Sequence, residues 1–135
     1  MALKASPMVW IGRVLTGLFA LFMLGASITP KFFMPEIAAA SMTSTGWHAD
    51  KVLLLGIIEL SCLVLYLIPR TAVFGAVLMT AYLGGAIATN LRVDNPLLGF
   101  TLFGVYLGLF MWGGLWLRDP ALRALFPFRR AATAL

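Results

Sequence analysis

Charge is what this chain has least of. Only 11% of its 135 residues are Asp, Glu, Lys or Arg, against about 25% in an ordinary soluble domain. Histidine occurs once and acidic residues five times. That is too few to assemble a zinc or haem centre, which needs several ligands converging on one ion. His48 stands beside Asp50 in a loop and reads as a solvated surface group. The single cysteine, Cys62, excludes an internal disulfide and any CxxC redox pair; among apolar neighbours it reads as a small packing residue. No nucleophile–base pair is present, so hydrolase chemistry has no foothold. Gly84-Gly85 lacks the context of a phosphate loop and reads as helix packing.

What fills the chain is apolar. Hydrophobic residues make up 61% and the mean hydropathy is +0.97. They gather into stretches at about 9–29, 52–68, 72–91 and 97–117, each close to the length of roughly 20 residues that spans a bilayer. The expectation is an all-α integral membrane four-helix bundle, one domain over 1–135, ending in a short basic cytoplasmic tail at 118–135. The first stretch is long for a signal-peptide core and ends in Thr29-Pro30-Lys31 without a small-x-small cleavage site, so it is expected to stay in the membrane.

The net charge of +5 would suggest nucleic acid if the basic residues formed a patch. They sit instead at helix ends and in the tail, where the partner is membrane lipid and not nucleic acid. With the N-terminus inside, the inner side carries Lys4, Arg13, Arg70, Arg118, Arg123, Arg129 and Arg130, and the outer side Lys31, Lys51 and Arg92. Positive charge collects on the cytoplasmic side, so both termini are expected there, in a bacterial inner membrane. Trp10, Trp112 and Trp116 then fall near the inner interface and Trp47 near the outer one. Ile68-Pro69-Arg70-Thr71 and Asp94-Asn95-Pro96 are tight turns. The long outer loop opens a short helix at Pro35-Glu36 that runs through Met42. Phe32, Phe33, Met34 and Ile37 would hold it at the membrane surface or over the mouth of the bundle.

One carboxylate interrupts the second stretch. Glu59 in an apolar helix costs roughly 2.5–3.5 kcal/mol on insertion scales, so it should face a partner or a watery pocket. It lies eight residues past Lys51, about 12 Å deep at 1.5 Å per residue. Helical spacing places Gly56, Glu59, Cys62 and Tyr66 on one face. Arg13, Thr16, Ala20, Ser27 and Lys31 share another, and Gly75, Met79, Tyr82, Ala86 and Thr89 a third, with Asn90 beside them. Small and polar residues mark faces that meet other helices; Gly104 and Gly108 read as ordinary close packing. Side chains lean toward their own helix N-terminus, so Glu59, Lys31, Thr89, Asn90 and Arg92 all converge on the outer half. Lys31 or Arg92 is the expected counter-charge, with Asn90 and Tyr82 as donors. Two roles stay open: a buried ion pair that only sets helix register, or a polar pocket with Tyr66, Tyr82 and Tyr106 as walls. Such a pocket would open between the 32–37 segment and the start of the fourth helix.

Several segments carry a family resemblance. Lys31-Phe32, Gly56-Ile57-Ile58-Glu59-Leu60, Ile68-Pro69-Arg70-Thr71, the run from Ala81 to Arg92, and Gly114-Leu115-Trp116-Leu117-Arg118-Asp119 together resemble the DoxX-like family of small bacterial membrane proteins. The resemblance implies a four-helix membrane fold. Its named relatives include a membrane component associated with thiosulfate:quinone oxidation, and most members have no assigned activity. Many carry His where this chain has Asn90, and Asn cannot titrate, which weakens a proton-transfer or metal role there. No catalytic activity of its own is expected. The expectation is an accessory protein, or one that binds a small hydrophobic ligand, a quinone or lipid, through Lys31, Glu59, Tyr82, Thr89, Asn90 and Arg92. The alternatives are a membrane subunit or anchor of a quinone-linked redox complex, paired with a partner protein or a second copy, and a structural assembly factor.

Overall fold

A computed structural model describes residues 6–129; Lys4 and Arg130, both counted in the inward charge above, lie outside that range. Every regular element among the described residues is a helix, without a strand. Helix α1 runs Pro7–Phe33, α2 Pro35–Thr43, α3 Val52–Leu67, α4 Ala72–Arg92, α5 Leu97–Arg118 and α6 Pro120–Leu125. Three of them, α1, α4 and α5, are long and apolar enough to cross a membrane. Helix α3 has 16 residues, about 24 Å of rise, short of a hydrocarbon core of roughly 30 Å.

Helix α1 does not stop at Thr29. Pro30 has no N–H, and in a regular helix its ring would press on the carbonyl of Ala26. The chain answers by widening: Met23–Ile28 form a π-turn, and the Thr29 N–H reaches back to the Leu24 carbonyl. The helix thereby passes through the proline and continues to Phe33. Lys31 is consequently a helical residue rather than a loop one. A second π-turn, Leu97–Thr101, starts α5 after Pro96.

Short connections force neighbours together. Ile68, held extended by the proline that follows it, ends α3, and the Thr71 hydroxyl donates to the Leu65 carbonyl at 2.7 Å. Asp94 takes a positive φ of 57° in the turn between α4 and α5, a conformation Asp tolerates better than most residues. Helix α1 lies along α5, α5 along α4 and α4 along α3, while the end of α1 closes on α3.

Glycines set how closely these helices approach. A Cβ on Gly12 would lie 2.7 Å from the Gly114 carbonyl, and one on Gly75 would fall on the backbone of Tyr66. Gly104 meets Ile87, whereas Gly108 has open space around it, so only one of the two packs against a neighbouring helix. The interior holds Phe19, Met23, Leu63, Tyr66, Met79 and Met111. The outward faces are apolar too: Leu21, Phe74, Leu98 and Leu109 are all more than half exposed, the reverse of a soluble surface and what a lipid environment requires.

Past α5 the chain folds back. Asp119 accepts from the N–H groups of Ala121 and Leu122 and caps α6, and Leu122 is buried. Arg123 donates to the carbonyls of Trp116 and Leu117 at 2.9 Å each, satisfying the end of α5. The segment expected as a basic tail therefore begins as a docked helix, because its arginine serves the helix before it.

Candidate functional site

The buried centre is an ion pair across α1 and α3. Lys31 Nζ lies 2.7 Å from Glu59 Oε2, with the glutamate side chain fully buried and the lysine 12% exposed. Two sequence features bring them together. The π-turn carries α1 far enough for Lys31 to face α3, and Gly56, one turn before Glu59, leaves room for the lysine stem. A Cβ there would stand 3.1 Å from Lys31 Cβ. Ser27, four residues before Lys31, accepts from the same ammonium through its hydroxyl at 2.8 Å and its carbonyl at 3.1 Å. Tyr82 on α4 donates to the same carboxylate oxygen at 3.1 Å. The other oxygen, Glu59 Oε1, is buried with no hydrogen-bond partner among the described residues.

This centre borders a cavity of about 630 Å³. Its walls are chiefly apolar: Phe22, Met23, Leu55, Leu83, Ile87 and Leu107 contribute, with Phe100 and Phe103 from the start of α5. Both π-turns border it, through Ala26 and Ser27 on one side and Gly99 to Thr101 on the other. π-Turns inside α-helices occur frequently at functional sites. Gly85 and Gly99 also line it, and a Cβ on either would meet nothing within 4 Å.

Among the expected site residues, Lys31, Glu59, Tyr82, Thr89 and Asn90 all line this cavity. Asn90 does not reach Glu59. Its side-chain N–H donates to the Ala86 carbonyl at 2.9 Å, and its oxygen accepts from Asn95 at 2.6 Å, tying down the turn after α4. Arg92 is not the counter-charge either. It donates to the Thr45 carbonyl at 2.7 Å, pinning the segment after α2.

The expected walls Tyr66 and Tyr106 do not line this cavity. Tyr66 is fully buried elsewhere, donating to the Met111 carbonyl at 2.6 Å and meeting Thr16 Oγ1 at 2.9 Å, which in turn accepts from Arg118 at 3.1 Å. It shares a helix face with Glu59 but lies two turns further along, about 10 Å away along the axis. Tyr106 points outward, 40% exposed, and donates to the Leu98 carbonyl. The loop's contribution also shifts: Ser41, Met42, Thr45 and Trp47 border the cavity and residues 32–37 do not. Phe33 and Ile37 face outward instead.

The described residues contain no group of three or more His, Cys, Asp and Glu that could hold a metal. Long apolar helices, apolar outer faces and a buried ion pair beside a partly open cavity define the class, a small helical membrane protein. The chain belongs to the DoxX-like family, whose profile matches residues 14–114 and so takes in the cavity with both members of the ion pair. No curated protein and no solved structure matches it.

Proposed function

We propose that this protein is a four-pass inner-membrane bundle, both termini cytoplasmic, that binds a small amphipathic molecule of the quinone or lipid class in the cavity beside Glu59. Helix α3 would serve as the short fourth span. The observation that carries the reading is the buried, half-satisfied carboxylate on a wall of a largely apolar cavity. Ligand sites combine many apolar contacts with a few placed polar groups, and a buried acceptor without a partner costs about 1–3 kcal/mol. A pair serving only helix register gains nothing from a cavity at its side.

Occupancy of the cavity tests this. Gly85 lines it with open space at its Cβ position, so Gly85→Leu should put a branched side chain into the cavity and narrow it without disturbing a packed contact. Purified protein in nanodiscs should be stabilised by at least one of short-chain quinones, their quinols, alkylphenols and monoglycerides in wild type, and less in Gly85→Leu. Equal stabilisation of both proteins would show that such molecules act only as surrounding lipid, and would refute the reading.

A further inference from the structure

The hydrogen-bond inventory around Glu59 specifies the chemistry of the head group. Lys31 has three N–H donors, and three acceptors lie within 3.1 Å of its nitrogen: the Ser27 carbonyl, the Ser27 hydroxyl and Glu59 Oε2. It has none left for a ligand. Tyr82 gives its one O–H to the same carboxylate oxygen. Oε2 therefore has both its lone-pair directions engaged, while Oε1 has neither engaged by any described residue and is fully buried. Glu59 lines the cavity, and the free valence of its carboxylate is an acceptor, Oε1.

Charge narrows the class further. One ammonium and one carboxylate at 2.7 Å already balance each other, and an added anion or cation would leave a net charge beside a fully buried carboxylate among chiefly apolar walls, which is costly. Resting on the proposed ligand cavity, we infer that the site selects a neutral hydroxyl donor on an apolar body, a phenol or a lipid alcohol, whose O–H donates to Glu59 Oε1. Tyr82 already shows a phenol in this arrangement on the neighbouring oxygen. An oxidised quinone, with only carbonyl acceptors in its head, finds no free donor on this ion pair.

The experiment compares each donor with its methyl ether, which keeps the apolar body and removes the proton. The probes are 4-octylphenol against 4-octylanisole, and 1-decanol against decyl methyl ether. Each is measured at equal bilayer mole fraction with wild-type, Glu59→Gln and Gly85→Leu protein in nanodiscs. A hydrogen bond to a charged acceptor corresponds to about tenfold or more in affinity. Wild type should therefore prefer at least one hydroxyl probe over its ether by that factor, and the preferred pair identifies an aromatic or aliphatic alcohol as the source. In Glu59→Gln the amide oxygen replaces Oε2 toward Lys31 and Tyr82, so its N–H₂ takes the place of Oε1. The preference should vanish or reverse in favour of the ether.

Three outcomes go the other way. Equal binding of hydroxyl and ether by wild type, abolished by Gly85→Leu, overturns the donor inference and leaves the ligand cavity standing. A hydroxyl preference that survives unchanged in Glu59→Gln also overturns it, since the donor would then be bound elsewhere. Binding of neither probe, or binding indifferent to Gly85→Leu, overturns the cavity itself. Circular dichroism and size-exclusion profiles matching wild type keep both variants interpretable.

Discussion

Lys31 and Glu59 stand 28 residues apart in the chain and 2.7 Å apart in the fold, on two helices that would not meet here if α1 ended at its proline. A π-turn and a glycine, Gly56, together hold the pair in place. Breaking it from one side leaves a buried charge without its partner, which typically costs about 3–5 kcal/mol, whereas replacing both by apolar residues is often neutral. Glu59→Ala should lower unfolding stability in detergent by that order, and Lys31→Met with Glu59→Leu by clearly less. A double variant as unstable as the single one would mean that the pair does more than neutralise itself.

Glycine substitutions should divide by location. Gly75→Ala puts a methyl group on the backbone of Tyr66, and such overpacking costs about 1–3 kcal/mol. Gly84 has open space around it, so Gly84→Ala should be neutral or stabilising by up to about 1 kcal/mol, the helix-propensity difference. Thermal unfolding of the two variants side by side decides this, and equal losses would contradict the packing described between α3 and α4.

Tyr66 anchors a network rather than a ligand. Arg118 donates to Thr16, and the Tyr66 hydroxyl beside Thr16 donates to the Met111 carbonyl, joining α1, α3 and α5 away from the cavity. Tyr66→Phe strips these groups of a partner and should cost about 1–3 kcal/mol. The response to cavity ligands should stay that of wild type. Loss of ligand response at unchanged stability would return Tyr66 to the cavity wall.

The contrast between Tyr66 and Glu59 shows how far sequence reaches here. Charges inside apolar runs are few, so hydropathy and helical spacing narrow the counter-charge of Glu59 to Lys31 or Arg92 and its donors to Asn90 and Tyr82; the fold selects Lys31 and Tyr82. Periodicity reports the face of a helix but not which depth on it shares a cavity, so Tyr66 was grouped with a site two turns away. Pro30 reads as a helix stop in sequence because the alternative, a π-turn that lets the helix pass, depends on tertiary contacts. Arg92 and Asn90 carry the right chemistry for a carboxylate, yet both are engaged by nearer backbone and turn groups whose positions only the fold supplies. The capping role of Arg123 is hidden for the same reason.

Arg92 ties the loop that borders the cavity. Its guanidinium donates to the Thr45 carbonyl and lies beside Gly46, whose φ of 90° favours glycine. Arg92→Gln should shorten that reach and release the segment from Thr43 to Lys51. Amide hydrogen exchange there should quicken, while global stability falls by no more than about 1.5 kcal/mol for one hydrogen bond. Unchanged exchange in this segment would show that other contacts hold it.

The last prediction concerns topology and rests on where Lys and Arg lie. On the side bearing the long loop Lys31 pairs with Glu59 and Lys51 with Asp50 at 3.4 Å, while Arg92 donates to the Thr45 carbonyl and has no acidic partner among the described residues. On the opposite side Arg13, Arg70 and Arg129 have no acidic partner among the described residues. The number of Lys and Arg near span ends sets which side stays in the cytoplasm, and the side opposite the long loop carries more of them, Arg118 and Arg123 included, so the long loop should face out and the chain beyond α5 inward. In a Cys62→Ala background, a cysteine at Ser44 should react with a membrane-impermeant maleimide in intact cells. A cysteine at Arg129 should react only after the cells are opened. Ser44 is exposed, so its silence in intact cells together with labelling at position 129 would reverse the orientation.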